Sequence, residues 1–366
     1  MSGLGPLSVA LRHRFAGFAL DLAFDAPPGV TALFGRSGSG KTTVVNAVAG
    51  LFRPQAARIT LGDAVLCDTD AGVFLPPYRR RIGYVFQDAR LFPHLTVQQN
   101  LLYGRFFAQK GAGPDLAAIT DLLGLGALLN RRPGALSGGE KSRVALGRAI
   151  LSRPRMLLMD EPLAALDEAR KAEILPYLER LRDQLGLPIL YVSHAAAEVA
   201  RLATTVVLVE AGRVTAVGPV EQVFADTATA PALGLREAGA VIVARVAAQE
   251  EDGLTRLESP AGPLFLPRVA APVGSELRLR ILAQDVMLAL DRPAGISALN
   301  LLPVQVQEIR MGEGPGALVR LDAGGSAILA RVTRRSVTAL GLRPGQAVWA
   351  VLKAVSVAQE NVGGAG

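Results

Sequence analysis

Residues Gly35 to Thr42 read GRSGSGKT, and this segment constrains the chain more than any other. The apolar run Val30–Phe34 leads into it, and Lys41–Ala49 follows with a helical pattern. A glycine-rich turn between a buried strand and a helix start is built to hold phosphate. Its glycines let successive backbone N–H groups converge on an anion where a Cβ would block the approach. The helix directs the positive end of its dipole at the same point. Lys41 brings a full charge to the outer phosphates, and the Thr42 hydroxyl suits Mg²⁺. The candidate phosphate-binding residues are therefore Gly35, Arg36, Ser37, Gly38, Ser39, Gly40, Lys41, Thr42 and Thr43.

A chain of 366 residues exceeds what one core usually organises, so two domains are expected. Residues 1–228 alternate short apolar runs with helical stretches, the pattern of an α/β domain with a mostly parallel sheet. Arg81–Phe86, Met156–Met159 and Ile189–Val192 are further strand candidates, and Val206–Val209 with Arg213–Val217 reads as a hairpin. Residues 229–240, rich in Ala, Pro and Gly, are expected to link this domain to a β-rich one at 241–366, a small all-β barrel. There Gly274, Leu277, Leu279, Ile281, Ala283 and Val286 recur as Gly345, Val348, Ala350, Leu352, Ala354 and Val357, which suggests an internal repeat.

No apolar run approaches the ~20 residues of a spanning helix. The N-terminal stretch is interrupted by Arg12, His13 and Arg14 and reads as mature sequence. Cys67, the single cysteine, excludes an intrachain disulfide and suits a reducing compartment. The net charge of +7 is not gathered into a basic block, so no nucleic-acid partner is expected.

Met156 to Pro162 reads MLLMDEP, an apolar strand ending in two acids. Such acids sit at the carboxyl edge of a parallel sheet, beside the phosphate loop. Asp160 is suited to Mg²⁺ and Glu161 to polarising the attacking water. Adjacent positions on opposite strand faces would let them take these separate roles. No N-K-x-D segment is present, which disfavours a GTPase.

Leu136 to Ile150, LSGGEKSRVALGRAI, resembles the signature of the ABC ATPase superfamily. Ser137 is a helix N-cap candidate, and Gly138 and Gly139 permit close backbone approach to a second phosphate face. The resemblance implies that this segment closes on ATP held by a second copy. It also implies roles for Gln87 in YVFQDARLFPHLTV (Mg²⁺, water and the membrane subunit), for Leu166-Asp167 (the dimer crossing) and for His194 in ILYVSH (the γ-phosphate). The adenine-stacking ring would be Phe15, with Phe18 as the alternative. Ser142 stands where the family commonly has Gln.

Residues 73–104, PGALSGGEK and LPILYVSH resemble the molybdate-importer branch, and the part from 293 to 358 resembles small molybdate-binding proteins. That implies an ATPase using ATP and Mg²⁺, peripheral on the cytoplasmic face of the inner membrane. Its partners would be a second copy, permease subunits and, indirectly, an extracytoplasmic molybdate-binding protein. Importers of sulfate, iron or sugar share the same ATP site, and a soluble ABC ATPase acting on nucleic acid is the alternative class. In the β-rich domain Ser297, Asn300 and Lys353 fall where the small relatives ligate oxyanion, although Leu299 replaces their arginine. A regulatory oxyanion site and a ligand-free structural barrel both fit this pattern.

Overall fold

The strand Val30–Phe34 is buried at every position because it lies inside a six-stranded sheet. The order across that sheet is Arg213–Pro219, Thr205–Glu210, Val30–Phe34, Ile189–Ser193, Met156–Asp160 and Ile82–Val85. The pairs from Thr205–Glu210 to Ile82–Val85 are parallel, with Val30 opposite Ile189, Leu157 opposite Ile189 and Ile82 opposite Met156. Burial on both faces is why these strands are continuous apolar runs rather than alternating ones. The computed structural model describes residues 5–107, 114–164, 166–234, 236–357 and 361–364. The chain divides into two compact units, Met1–Ala195 with Leu202–Val217 and Ala196–Arg201 with Gly218–Gly366.

The first unit also contains an antiparallel sheet that the α/β reading did not anticipate. Its order is Ala19–Ala26, Leu7–Arg14, Ala56–Leu61, Ala64–Asp68 and Val73–Phe74. Ala19–Ala26 alternates exposed and buried residues, so Leu20, Leu22 and Phe24 face inward. The helix Lys41–Ala49 shares a core with both sheets: Val44, Val45 and Val48 pack with Leu20 and Leu22 on one side and Leu33, Leu158 and Val192 on the other. It is thereby fixed relative to the strand ends that carry the acids. The hairpin turn at Ala211 and Gly212 has φ of 45° and 80°, the left-handed pair that matches strand twist.

In the second unit the expected repeat extends over the whole fold. Strands Gly239–Gln249, Leu254–Ser259, Gly262–Pro267 and Glu276–Leu282 are followed in the chain by Asn300–Met311, Gly316–Ala323, Ser326–Thr333 and Ala347–Leu352. Each set forms the same four-strand order. The first strands have their bulges at matching places, Val246/Ala248 and Val306/Glu308. Gly274 and Gly345, with φ of 92° and 86°, donate to the carbonyls of Val246 and Val306. Each half lends its last strand to the other: Met287–Ala289 pairs with Ala347–Leu352, and Val362–Gly364 pairs with Glu276–Leu282. One continuous core of Ile242, Leu257, Leu279, Leu302, Val319 and Val348 results. The segment expected as a linker contains residue 235, outside the described residues. The rest of it carries the short helix Ala230–Leu233, with Ala230 and Leu233 buried, and the start of the strand at Gly239.

Candidate functional site

Three parallel strands deliver the site by ending at one sheet edge. Val30–Phe34 runs into the phosphate loop, Met156–Asp160 into Glu161, and Ile189–Ser193 into His194. Gly35 is buried, and a Cβ there would stand 2.1 Å from the Val209 carbonyl oxygen, so no larger residue fits. Arg36, Ser37 and Gly38 form the exposed crest of the loop. Gly40, at φ 101°, turns the chain into the helix, and its missing side chain leaves room for Leu20 and Phe18. The Ser39 hydroxyl is buried without a partner beside Gly35, so of this residue the backbone is what the phosphate side receives.

Lys41 is 4% exposed, and its Nζ donates to the carbonyls of Gly35 at 2.7 Å and Arg36 at 2.9 Å. Burial lowers the pKa of its ammonium, opposed by the charges of Glu161 and Asp160. The next residue, Thr42, donates from Oγ1 to Asp160 Oδ1 at 3.2 Å. Tyr84 stands on the other side of Asp160, its hydroxyl 3.3 Å from Oδ2 and 3.1 Å from Asn46 Oδ1. Burial pushes the Asp160 carboxyl above its usual range, while the bonds from Thr42 and Tyr84 pull it back down. Burial and the neighbouring Asp160 raise the Tyr84 phenol. Thr43 follows on the helix, half-buried.

Glu161 parts from Asp160 by a backbone kink rather than by strand alternation. The strand stops at Asp160, and Glu161 sits at φ 47° with its N–H donated to the Val192 carbonyl at 3.0 Å. A non-glycine residue in the left-handed region is uncommon and is found preferentially at functional sites. The kink brings Glu161 Oε1 within 3.2 Å of His194 Nδ1, whose side chain is 57% exposed. Gln87, just beyond Ile82–Val85, is exposed and makes no hydrogen bond among the described residues. Phe15 is also exposed. It lies in a cluster with His13, Phe18 and Phe52, with its ring inclined only 24° to Phe52 and 28° to Phe18. Phe18 packs into the core beneath, so Phe15 offers the free face.

The signature helix Gly138–Leu151 starts with a capping box. Ser137 Oγ accepts from Glu140 N–H at 3.3 Å, and Glu140 Oε2 accepts from Ser137 N–H at 2.7 Å, which holds the Glu140 carboxyl below its usual range. The first-turn N–H groups of Gly138 and Gly139 have no intrahelical acceptor. Their small size has a packing cause as well: a Cβ on Gly138 would stand 3.0 Å from Leu166, and one on Gly139 3.3 Å from Ile174. Asp167, which the resemblance puts at the dimer crossing and among the nucleotide contacts, immediately precedes the next helix. Its carboxylate caps the helix Glu168–Leu185, accepting from Arg170 N–H at 2.9 Å and lying 3.7 Å from the same guanidinium. Ser142 donates to the Gly138 carbonyl and lies 3.5 Å from that of Pro162, touching the turn after Glu161.

Three residues escaped the sequence reading. Besides Tyr84, Arg148 projects from the signature helix to the carbonyls of Arg90 and Ala89, 2.9 and 3.2 Å away, and so grips the loop after Gln87. Arg80, 1% exposed, donates to Ala47 and Val48 at the end of the phosphate helix and to Leu75. Spacing alone gave no signal for either arginine, because both bind main chain.

The expected oxyanion residues of the second unit differ in exposure. Ser297 and Lys353 are exposed, but Asn300 is 1% exposed and its amide is engaged elsewhere. Asn300 Oδ1 accepts from Phe265 N–H at 2.7 Å and Nδ2 donates to the Phe265 carbonyl at 3.0 Å. Asn300 thus completes the backbone bonding of an edge strand and is not free to bind an anion. Among the described residues no helix is long and apolar enough to cross a membrane, and no three His, Cys, Asp or Glu side chains gather as a metal cluster.

The sequence matches the ABC transporter family over residues 20–164 and the TOBE domain over residues 296–359. It is similar to the molybdenum import ATP-binding protein ModC of Mesorhizobium japonicum, 53% identical over 97% of this chain and 96% of that protein. Against the protein of the same name from Rhizobium meliloti the identity is 52%, over 96% of this chain and 99% of that protein. Among solved structures, cbiO1 from Clostridium perfringens, part of the ABC transporter complex cbiONQ, superposes with a TM-score of 0.52 at 26% identity. It covers 63% of this chain and 94% of that one.

Proposed function

This chain belongs to the family of molybdenum import ATP-binding proteins, and from that premise we propose that it is the ATP-hydrolysing subunit that energises molybdate import. The residues of the ATP site do not select the solute. The observation that carries molybdate is the extent of the similarity, which runs past that site through the β-rich unit to cover 97% of the chain. The absence of a spanning helix among the described residues suits a peripheral subunit on the cytoplasmic side of the inner membrane, working with permease subunits and an external receptor.

Lys41 exchanges its bonds to Gly35 and Arg36 for the β- and γ-phosphates, and the loop amides and helix dipole surround the same oxygens. Phe15 stacks on adenine. Thr42 Oγ1 and Asp160 Oδ1, hard oxygens meeting at the loop, are a fitting pair for Mg²⁺, with Gln87 able to approach from its strand end. Bound there, the ion would neutralise phosphate charge. Glu161 orients the attacking water and accepts its proton, while His194, with Nδ1 3.2 Å from Oε1, positions the carboxylate and faces the γ-phosphate. A second copy closes the site. Its Ser137 hydroxyl has used a lone pair on Glu140 and keeps its proton to donate, and the Gly138 and Gly139 amides point the same way. Arg148 then transmits the helix position to the Gln87–Leu95 loop and so to the permease.

The test is uptake of labelled molybdate at trace concentration in cells lacking the gene, complemented with the native chain or with Glu161→Gln. Restoration by the native chain alone is expected. Uptake indifferent to the gene would remove molybdate as the solute.

A further inference from the structure

Tyr84 takes no part in the chemistry assigned to the ATP site, yet its hydroxyl reaches the middle of it. The residue stands on Ile82–Val85, opposite Leu158 on the strand that ends at Asp160. Its Oη lies 3.3 Å from Asp160 Oδ2 and 3.1 Å from Asn46 Oδ1 on the phosphate helix. A phenol has one proton to donate, and a carboxylate is the stronger acceptor, so the proton goes to Asp160. Burial and the Asp160 charge raise the phenol pKa, which keeps that proton in place. Thr42 donates to the other oxygen, Oδ1, at 3.2 Å. Asp160 is 7% exposed, and with both oxygens bonded the plane of its carboxylate is fixed. Without the phenol hydroxyl, Oδ2 loses this donor and the plane is free to turn, taking Oδ1 out of line with Thr42. Packing alone would be served by phenylalanine.

Tyr84 is held in turn by the loop beyond Gln87. Alternation along the strand puts Tyr84 and Phe86 on one face. Their rings stack there, with centroids 3.9 Å apart and planes inclined by 21°. The Arg90 guanidinium lies over the Phe86 ring, 4.2 Å from its centroid. Its charge is near enough to Tyr84 to oppose the rise in the phenol pKa. Arg90 has a φ of 43°, and its carbonyl accepts from Arg148 of the signature helix at 2.9 Å. One residue thus meets the signature helix through its main chain and the aromatic stack through its side chain. The path from this loop to the Asp160 carboxylate does not pass through Gln87.

We propose that Tyr84 is a positioning residue that fixes the metal-binding carboxylate of Asp160, and that Phe86 and Arg90 tie it to the loop after Gln87, so that the placing of this loop sets the affinity for Mg²⁺. The proposal rests on the reading of Thr42 and Asp160 as the pair that meets Mg²⁺. Full-length protein titrated with Mg²⁺ in the presence of a fluorescent, non-hydrolysable ATP analogue tests it, with the affinity for the same analogue measured in EDTA.

Tyr84→Phe should raise the Mg²⁺ concentration for half-maximal effect about tenfold, the scale of one lost hydrogen bond to a charged group. Its affinity for the analogue in EDTA should equal that of the native chain. Arg90→Met should raise the Mg²⁺ requirement about threefold, the scale of one exposed cation–π contact. Added to Tyr84→Phe, it should change nothing further, because it acts through the phenol. Unchanged Mg²⁺ dependence in Tyr84→Phe would overturn the proposal. So would an equal loss of affinity in Mg²⁺ and in EDTA, which a merely structural role would give. An Arg90→Met effect that adds in full to Tyr84→Phe would overturn the tie to the loop. A native chain whose affinity for the analogue is indifferent to Mg²⁺ would instead remove the metal pair itself, and the proposal with it.

Discussion

Asn300→Ala tests the reassignment of Asn300 from ligand to fold. The side chain is 1% exposed and bonds both main-chain groups of Phe265. Phe265 belongs to Gly262–Pro267, the edge strand of its sheet, so these groups have no strand partner on that side. Alanine leaves the N–H and C=O of the half-buried Phe265 without their partner, each at about 1–3 kcal/mol, or about 4 kcal/mol together. With a urea m-value of about 2 kcal/mol/M for a unit of this size, the midpoint should fall by about 2 M.

The single tryptophan, Trp349, is the reporter, because it lies in the strand Ala347–Leu352 that pairs with Asn300–Met311. Ser297→Ala and Lys353→Ala, both exposed, should stay within about 0.5 kcal/mol, or about 0.25 M. If Asn300→Ala moves the Trp349 transition no further than these controls, the Asn300–Phe265 lock does not carry the energy argued for it.

Glu161→Gln should lower ATP turnover by roughly 10²–10⁴-fold, since it removes the proton acceptor, while nucleotide binding persists. Retained turnover would transfer that role to another group. For Asp160→Asn, stability and activity should move in opposite directions. Burial raises the folded-state pKa of Asp160 above the 3.8 of a free aspartate, so its contribution to stability is fully present below that value and lost as pH rises through the raised one. The Asn variant does not titrate. It should therefore melt higher than the native chain at neutral pH, an advantage that shrinks on acidification, and a lower melting temperature at neutral pH would contradict this. Gly35→Ala places a methyl 2.1 Å from the Val209 carbonyl and should abolish detectable binding of a fluorescent ATP analogue; near-native affinity would show that the loop relaxes.

Much of the ATP site was legible because its chemistry is local. The strand Val30–Phe34 and helix Lys41–Ala49 have the bounds their residues suggested, and GRSGSGKT lies between them. What was not legible depends on partners far apart in the chain. Strand alternation gave Glu161 the wrong reason for facing away from Asp160, since its left-handed kink follows from the Val192 carbonyl. Asn300 shows the same limit: a polar residue at a family position was read as a ligand, while an edge strand had already engaged it. In the second unit the repeated glycines and leucines foretold the duplication, but the exchange of terminal strands between its halves leaves no mark in either segment alone.

The central claim joins this ATP site to one solute. It is tested most directly by ATP hydrolysis in membrane vesicles containing the assembled transporter with its receptor outside. Turnover should rise when molybdate is added to the receptor side, stay at baseline with sulfate, and be absent for either anion in Glu161→Gln. Equal stimulation by sulfate, or a molybdate response that survives Glu161→Gln, would contradict it.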